Sequence, residues 1–250
     1  MTDRAKAEVL TEEDRKRYHR QMMITGWGEE GQEKLKSARV FVAGAGGLGS
    51  PASIYLAVAG VGSIRICDFD SPDLSNLNRQ ILHSDSRIGV NKAESARISL
   101  TSLNPSIEIE AISTRIEAEN VDELVADAQI ILDCMDNFPT RYVLNQCAVR
   151  KRIPLVHGAV WGLEGRLTFL HPPETPCFQC IFPIAPPKEL FPVLGAVPGM
   201  IGCLQAVETL KYLTATGENL KGKLLVWDGL DMAFSIFRLP KDPNCAVCGK

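Results

Sequence analysis

The stretch VFVAGAGGLGS, Val40–Ser50, places a short apolar run directly before a glycine-rich turn. Its glycines, Gly44, Gly46, Gly47 and Gly49, follow the pattern G-x-G-x-x-G. Between a strand and a helix, such glycines let the backbone approach a phosphate group that the helix N-terminus binds. Glycines of this kind also mark ordinary tight turns. The stretch therefore predicts a bound nucleotide, and leaves open whether that nucleotide is a hydride carrier or ATP.

Apolar β-type runs alternate with helical segments on both sides of this turn. Strands are predicted at Val40–Ala43, Ser63–Cys67, Ile107–Ile112, Gln129–Cys134 and Leu155–His157. Helices are predicted at Leu48–Ala59, Asn91–Leu103, Val121–Ala126 and Thr140–Lys151. This alternation is typical of a doubly wound, mostly parallel α/β sheet of the Rossmann-like kind.

The two ends of the chain extend this pattern. Thr11 and Asp14 form a capping-box pattern that predicts a helix to about Met22, and a second helix is predicted at Glu29–Lys36. After Gly158, strands at Arg166–Leu170, Lys223–Trp227 and Ala233–Arg238 surround a helix at Met200–Thr214 and extend the sheet with antiparallel strands. We therefore predict a single domain over residues 1–250, with N-terminal helices at 11–36, a nucleotide-binding half at 37–158 and a second half at 159–250.

The composition is that of an ordinary globular protein: 45% hydrophobic, 23% charged, with a net charge of −3. This balance gives no reason to expect a nucleic-acid partner. The charged N-terminus lacks the apolar run of a secretory signal. The most apolar stretch, Gly195–Leu213, contains Glu208 and Lys211, which indicates a buried helix and no membrane span. Eight cysteines without an export signal favour the cytoplasm and metal or thiol chemistry.

Charged residues follow the predicted strands at the edge where the glycine turn lies. Asp68 ends the second strand, where an acidic side chain commonly binds a ribose. Arg79 lies in the polar loop SNLNRQ, Ser75–Gln80, and Lys92 lies in the first turn of a helix, against the helix dipole. Asp136, in DCMDN, follows the strand that ends near Cys134. Triphosphate chemistry needs two cations and a magnesium carboxylate, whereas hydride transfer needs neither. Singly, each of these residues could be a solvated charge or a helix cap.

Two C-x-x-C pairs, Cys177 with Cys180 and Cys245 with Cys248, supply four thiolates. Four thiolates suit a tetrahedral Zn²⁺ site, and with no open position such a site is structural. A redox pair or an iron–sulfur cluster is the alternative.

These motifs resemble the ThiF/MoeB/HesA family, the bacterial relatives of ubiquitin-activating enzymes. The resemblance runs through RYHRQ, GAGGLGS, DFD, LSNLNRQ, GVNKAESA, DCMDN, the cysteine pairs and GAVPGMIGCLQAVETLKYL, in that order. It implies ATP-dependent adenylation of the C-terminal glycine of a ubiquitin-like sulfur carrier that ends in Gly-Gly, with release of pyrophosphate. The half at 159–250 would then hold the zinc and bind the carrier.

The resemblance also implies roles for particular residues. Gly47 and the neighbouring glycines would contact the nucleotide and Asp68 its ribose, while Arg79 and Lys92 would contact phosphates. Asp136 would bind Mg²⁺, and Arg20, from RYHRQ, would reach the phosphates of the other subunit in a homodimer. The remaining nucleotide-binding candidates are Ser75, Asn76, Leu77, Asn78, Gln80 and Asn137. The simpler interpretation of Arg20 is one charge on a solvated helix.

The implied chemistry needs no general base. An α-carboxyl group, with a pKa of roughly 3.5, is already ionised at neutral pH. With only four histidines, the sequence shows no apparent His–Asp or Ser–His arrangement, in agreement with this chemistry. Positioned cations would stabilise the charge that develops on the leaving pyrophosphate.

One departure from the family concerns the loop Ile181–Gly199, which is short and contains no cysteine. Many family members carry a reactive cysteine there, so we expect adenylation without an enzyme thioester. Cys67, Cys134, Cys147 and Cys203 are expected to be core residues. An NAD-dependent oxidoreductase and a non-catalytic nucleotide- or carrier-binding relative are the alternative functions.

Overall fold

A computed structural model describes residues 9–187 and 190–249. The expectation that no secretory signal is present rests partly on residues 1–8, which lie outside the described residues. Two positions of the cysteine-free loop, 188 and 189, and the last residue also lie outside them.

One eight-stranded sheet forms the centre of the fold, in the order β3-β2-β1-β4-β5-β6-β7-β8. The first five strands are parallel, and β6, β7 and β8 extend the sheet with antiparallel pairings. The strands are β1 Arg39–Ala43, β2 Ser63–Cys67, β3 Glu108–Ile112, β4 Ile130–Asp133, β5 Leu155–Trp161, β6 Glu164–Leu170, β7 Lys223–Asp228 and β8 Ala233–Arg238. The predicted fold class is therefore confirmed.

Helices cover both faces of the parallel part of the sheet. They are α1 Glu12–Arg17, α2 His19–Met22, α3 Gly28–Lys36, α4 Gly49–Ala59, α5 Lys92–Leu103, α6 Val121–Val125, α7 Phe138–Lys151, α8 Phe178–Ile181 and α9 Ala196–Thr214. Short 3₁₀ turns lie at Leu74–Asn76 and Asp85–Arg87.

Alternate residues of β1 pack into the two hydrophobic clusters on opposite faces of the sheet. Val40 and Val42 pack in the cluster formed with α3, α4, α5 and α9, whereas Phe41 and Ala43 pack in the cluster formed with α6 and α7. All four side chains are fully buried, because successive residues of a strand point to opposite faces.

The strand order reverses direction between β1 and β4. The chain builds β1, β2 and β3 outward on one side and then returns to place β4 and β5 on the other. Ligands of open α/β sheets bind at such a reversal, outside the carboxyl ends of the strands. Here those ends lead into Gly44 and into Cys134–Asn137.

The N-terminal helix is interrupted where one helix was predicted. Tyr18 separates α1 from α2, and its buried hydroxyl accepts a hydrogen bond from Asn104 Nδ2 at 2.8 Å. This tertiary bond to α5's end could not be inferred from the local sequence.

Helix α9 begins at Ala196, four residues before the predicted start. Pro198 and Gly199 suggested a break, but Pro198 lies in the first turn, where its missing N–H group has no helical partner to lose. Within α9, Glu208 is buried and accepts hydrogen bonds from Leu220 N and from Asn219 Nδ2. Among the described helices, none has both the length and the apolar character needed to cross a membrane.

Candidate active site

The glycine turn joins β1 to α4 with no room for side chains at two positions. A Cβ atom on Gly49 would overlap the carbonyl oxygen of Gly44, and Gly44 itself has a φ of +96°. Helix α4 starts behind Leu48, which provides no side-chain cap. Phosphate oxygens could therefore approach the backbone and the positive end of the helix dipole.

Two further segments lie against this turn. A Cβ atom on Gly44 would lie 3.3 Å from Met135 Sδ, and one on Gly47 would lie 3.5 Å from Arg79 Cγ. On Gly46 the nearest atom would be Gln80 Nε2, at 3.6 Å. The structure thus brings the polar loop after β2 and the turn after β4 against the glycines, as the sequence predicted.

Asp68 braces the turn from the end of β2. Its Oδ2 accepts a hydrogen bond from Ala45 N at 2.8 Å, and its Oδ1 accepts one from Asp70 N at 2.9 Å. Burial raises the pKa of Asp68, although the two N–H groups and the Lys92 charge oppose that rise. A half-buried carboxylate with free lone pairs on both oxygens can still accept hydrogen bonds from ribose hydroxyls.

Lys92 is buried, with only 8% of its surface exposed, so it is not a solvated surface charge. Its Nζ forms a long ion pair with the exposed Asp70, 3.8 Å from Oδ2, and makes no hydrogen bond with the described residues. Asn91 caps the helix by accepting hydrogen bonds from Ala93 N and Glu94 N. The lysine is therefore available to an anion at the start of α5.

Arg79 lies half-buried in the polar loop, where its Nη1 donates to Ser75 O at 2.9 Å and to Asn78 Oδ1 at 3.0 Å. Asn76 Oδ1 accepts from Asp73 N and closes the 3₁₀ turn. Gln80 is buried, and its Oε1 has no hydrogen-bond partner among the described residues. Of the other predicted contacts in this loop, Ser75 and Asn78 are exposed and Leu77 is half-buried.

The turn after β4 presents Asp136 to solvent. Asp136 is exposed and forms neither a hydrogen bond nor an ion pair with the described residues. The alternative that Asp136 caps α7 is wrong, because Asn137 is the cap and its Oδ1 accepts from Thr140 N at 3.0 Å. An uncommitted carboxylate beside the glycine turn has the ligand chemistry that Mg²⁺ requires.

A buried His–Asp pair lies behind this turn, contrary to the expectation that none exists. His157 Nδ1 and Asp133 Oδ2 are 2.7 Å apart, and both residues are almost completely buried. The strands pair Asp133 directly with His157, so the alignment of the predicted strands β4 and β5 could have revealed the pair. Burial lowers the pKa of His157 although the Asp133 carboxylate opposes this.

The same carboxylate holds the Asp136 turn in place. Asp133 Oδ1 accepts from Met135 N at 3.1 Å, while Arg141 Nη2 donates to Met135 O at 2.6 Å. Arg141 Nε lies 3.7 Å from Asp133 Oδ2. This group is a support for the loop, and the sequence did not suggest Arg141 or His157.

A Ser–His pair is also present, again contrary to expectation. His83 Nδ1 lies 2.9 Å from Ser95 Oγ and its Nε2 lies 2.9 Å from Ala45 O. Both residues are buried.

Arg20 is exposed on α2, away from the glycine turn of its own chain. Its neighbour Gln21 donates to Ala59 O at 2.7 Å, at the opposite end of α4. Helix α4 has 11 residues and is therefore about 16 Å long. An arginine side chain cannot span that distance, so Arg20 does not reach the glycine turn of its own chain.

The four paired cysteines come together between α8 and the C-terminal tail. Their sulfur atoms all lie within 4.8 Å of one another, with 3.9 Å for Cys177–Cys180, 3.7 Å for Cys177–Cys245 and 3.4 Å for Cys180–Cys248. A tetrahedral Zn²⁺ with Zn–S bonds of about 2.3 Å would place the sulfurs about 3.8 Å apart. The cluster therefore fits zinc and is too wide for disulfides.

Of the remaining cysteines, Cys67, Cys134 and Cys147 are buried in the core as expected, whereas Cys203 on α9 is only half-buried. Burial raises the pKa of Cys67 and of Cys147 to about 12, and it also raises the pKa of Cys134 and Cys203. A reactive cysteine needs a lowered pKa, so these thiols are poor nucleophiles.

Known proteins share both the sequence and the fold. Residues 18–247 match the ThiF family. The chain belongs to the ThiF family. Among relatives of this ThiF protein, the SAMP-activating enzyme E1 of Haloferax volcanii is 45% identical, over 94% of the chain and 88% of the relative. The adenylyltransferase and sulfurtransferase MOCS3 of Drosophila yakuba is 44% identical over 98% of the chain, which spans only 56% of that relative.

Solved structures of E. coli MccB have the same fold as this chain. MccB with MccA-N7isoASN superposes with a TM-score of 0.86 at 24% identity, over 94% of this chain and 75% of MccB. MccB with ATP gives a TM-score of 0.82 at 25% identity, over 93% of this chain and 73% of MccB. The eight-stranded sheet therefore has the fold of E. coli MccB.

Proposed function

We propose that this chain adenylates the C-terminal glycine carboxylate of a ubiquitin-like sulfur carrier ending in Gly-Gly, and releases pyrophosphate. The observation that carries the proposal is Lys92, a buried ammonium without a hydrogen bond to the described residues. Its charge acts on Asp68, the carboxylate that accepts a hydrogen bond from Ala45 N in the glycine turn. The names of the relatives, a SAMP-activating enzyme E1 and an adenylyltransferase, agree with this reaction. The chain spans only about half the length of MOCS3, so we propose the adenylyltransferase activity alone.

In the proposed reaction the carrier carboxylate attacks the α-phosphorus of ATP. A bond forms between a carboxylate oxygen and phosphorus, and the bond from phosphorus to the bridging oxygen of pyrophosphate breaks. The carboxylate is ionised at neutral pH, so no residue has to remove a proton. Lys92 and Arg79 stabilise the charge on the phosphates, and the turn at Gly44, Gly46, Gly47 and Gly49 together with Asp68 orients the nucleotide.

Asp136 would hold Mg²⁺, and the ion would neutralise phosphate charge during the displacement. Six further residues near the glycine turn are also proposed to bind the nucleotide: Ser75, Asn76, Leu77, Asn78, Gln80 and Asn137. We place the nucleotide in the half at 37–158, and the carrier, with the structural zinc, in the half at 159–250.

The adenylate is proposed to form without an enzyme thioester. The sequence 181–199 contains no cysteine. Burial raises the pKa of all four cysteines outside the zinc cluster. The unpaired state of all eight cysteines supports a reducing compartment, and we propose the cytoplasm.

We propose a homodimer in which Arg20 acts on the partner's nucleotide. Its position at the far end of α4 keeps it away from the glycine turn of its own chain. Met23, Ile24 and Tyr55 expose half or more of their surface on α4 or just beyond α2. Exposed apolar side chains near an arginine that pairs with none of the described residues are typical of a surface that a second copy covers.

Carrier-dependent ATP–pyrophosphate exchange tests the function. Exchange is expected with a carrier ending in Gly-Gly and is expected to vanish when one alanine extends that tail, because the carboxylate then lies out of position. Exchange without a carrier would refute the proposal. ATP binding without exchange for any carrier would favour a binding protein, and tight NADH binding would favour an oxidoreductase.

A further inference from the structure

His83 occupies an interior position between two parts of the proposed phosphate site. Its ring is buried, with Nε2 2.9 Å from Ala45 O and Nδ1 2.9 Å from Ser95 Oγ. Ala45 belongs to the glycine turn, and Ser95 belongs to α5, the helix that begins with Lys92. One side chain therefore bonds to both elements at once.

The partners determine the protonation of the ring. The Ala45 carbonyl can only accept, so His83 Nε2 carries the hydrogen and donates it. In the neutral ring Nδ1 then accepts from the Ser95 hydroxyl. Burial lowers the pKa of His83, and the nearby charges of Lys92 and Arg87 lower it further, which favours this neutral form.

The bond to Ala45 completes the fixation of the glycine turn. The Ala45 N–H group donates to Asp68 Oδ2, and the Ala45 carbonyl accepts from His83. The N–H and the carbonyl group of Ala45 are thus both hydrogen-bonded, which fixes the orientation of the neighbouring backbone N–H groups in the glycine turn. Ser95 lies three residues after Lys92, on the same side of α5.

We propose that His83 is a positioning residue that ties the glycine turn to the helix of Lys92, so that both act on one triphosphate. This inference rests on the proposed function for the identity of the ligand. His83 makes no contact with the reacting atoms in this account. It acts through the Ala45 carbonyl and through Ser95.

Two amide variants separate the two bonds of the ring. In His83→Gln the terminal amide reaches the position of Nε2 and can donate to Ala45. In His83→Asn the shorter amide lies near Nδ1 and can contact only Ser95. Ser95→Ala removes the other side of the bridge and leaves the bond to Ala45.

The experiment measures the dissociation constant of ATP–Mg²⁺ by calorimetry without a carrier, then KM for ATP and kcat in exchange. His83→Asn is expected to weaken ATP binding about tenfold, the equivalent of one hydrogen bond, and to raise KM more than it lowers kcat. The dissociation constant of ATP–Mg²⁺ for His83→Gln should stay within about threefold of the parent value, because the variant loses only part of one hydrogen bond. Thermal melting confirms that each variant is folded.

Equal ATP affinity in a folded His83→Asn chain would overturn the proposal, and so would a His83→Gln chain as weak as His83→Asn. If His83→Asn does not fold, a Ser95→Ala chain with unchanged KM for ATP would overturn it instead. Failure of the proposed function has a different signature: the parent chain then shows no exchange with any carrier, while the ordering of ATP affinities among the variants still reports on His83.

Discussion

Lys92 lies in an electrostatically unfavourable position, and such a position indicates function. A positive charge at a helix N-terminus is disfavoured by the dipole, and burial adds a further cost. The chain nevertheless buries Lys92 in the first turn of α5, with Asp70 Oδ2 at 3.8 Å as its nearest carboxylate oxygen. An anionic ligand would compensate for both costs.

At the same scale, His83 predicts a pH dependence of stability. In the unfolded chain the histidine titrates near its ordinary pKa of about 6.5, whereas burial lowers the pKa in the folded chain. Below about pH 6.5 the unfolded chain therefore binds a proton that the folded chain does not, and acid favours unfolding. Stabilisation by the neutral ring is complete above this range and is lost as the pH falls.

The measurement compares unfolding free energies of the parent chain and His83→Gln between pH 7.5 and 5.5. The parent is expected to lose stability relative to the variant, by at most about 1.4 kcal/mol per pH unit. His19→Gln, which changes an exposed ring on α2, serves as the control. Parallel curves for the parent and His83→Gln would contradict the assignment.

A second prediction at the residue scale concerns the effect of a side chain at Gly49 on stability and ATP binding. Gly49→Ala would press a methyl group onto the Gly44 carbonyl oxygen, so we expect a lower melting temperature and lost ATP binding. Gly199→Ala is the matched control, because nothing lies within 4 Å of its Cβ position and alanine favours a helix. A Gly49→Ala chain that binds ATP normally would contradict the described turn.

At the scale of elements, the local sequence pattern predicted the positions of strands and helices whose ends are defined by nearby residues. The strands β1, β2 and β4 and the helix α5 were predicted nearly to the residue, because apolar runs, caps and glycines define them. The sequence also predicted that Gly44, Arg79 and Asp136 would meet, since strand ends of a parallel sheet share one edge.

Features that depend on contacts distant in sequence were not predictable in this way. Tyr18, where the helix breaks, accepts a hydrogen bond from Asn104, 86 residues later. The pairs His157–Asp133 and His83–Ser95 need the register of neighbouring elements. The expectation of no such pairs was wrong for this reason, although both pairs are buried.

The cluster of four cysteines predicts that the C-terminal tail depends on a bound metal. Cys177 directly precedes α8, and Cys245 and Cys248 in the C-terminal tail lie against it. We expect one zinc ion per chain by mass spectrometry, and a lower melting temperature after chelation. Cys248→Ser should lose the zinc, while Cys203→Ser should retain it. Full zinc content in Cys248→Ser would exclude this ligand set.

At the scale of the whole molecule, the position of Arg20 predicts complementation between subunits. Arg20→Ala and Arg79→Ala chains should each be inactive in exchange. In a mixed dimer, one site combines an intact Arg79 with the partner's intact Arg20, and the other site lacks both.

Random mixing of the two inactive chains should therefore restore about one quarter of the parent activity, given a two-fold symmetric dimer. Arg97→Ala mixed with Arg79→Ala provides the control, since Arg97 pairs with Glu94 on the surface of α5 and its own homodimers should remain active. No recovery in the Arg20→Ala and Arg79→Ala mixture would contradict action in the partner's site.

The most direct test of the central claim is ATP–pyrophosphate exchange, with a Gly-Gly carrier, in Lys92→Ala, Arg79→Ala and Asp136→Ala chains. Removal of a preorganised charge at such a site lowers the rate by about a hundredfold or more, and we predict that loss for each variant. Arg97→Ala should exchange at the parent rate. Exchange that continues at the parent rate in the Lys92, Arg79 and Asp136 variants would contradict the claim that this crevice activates a carboxylate with ATP.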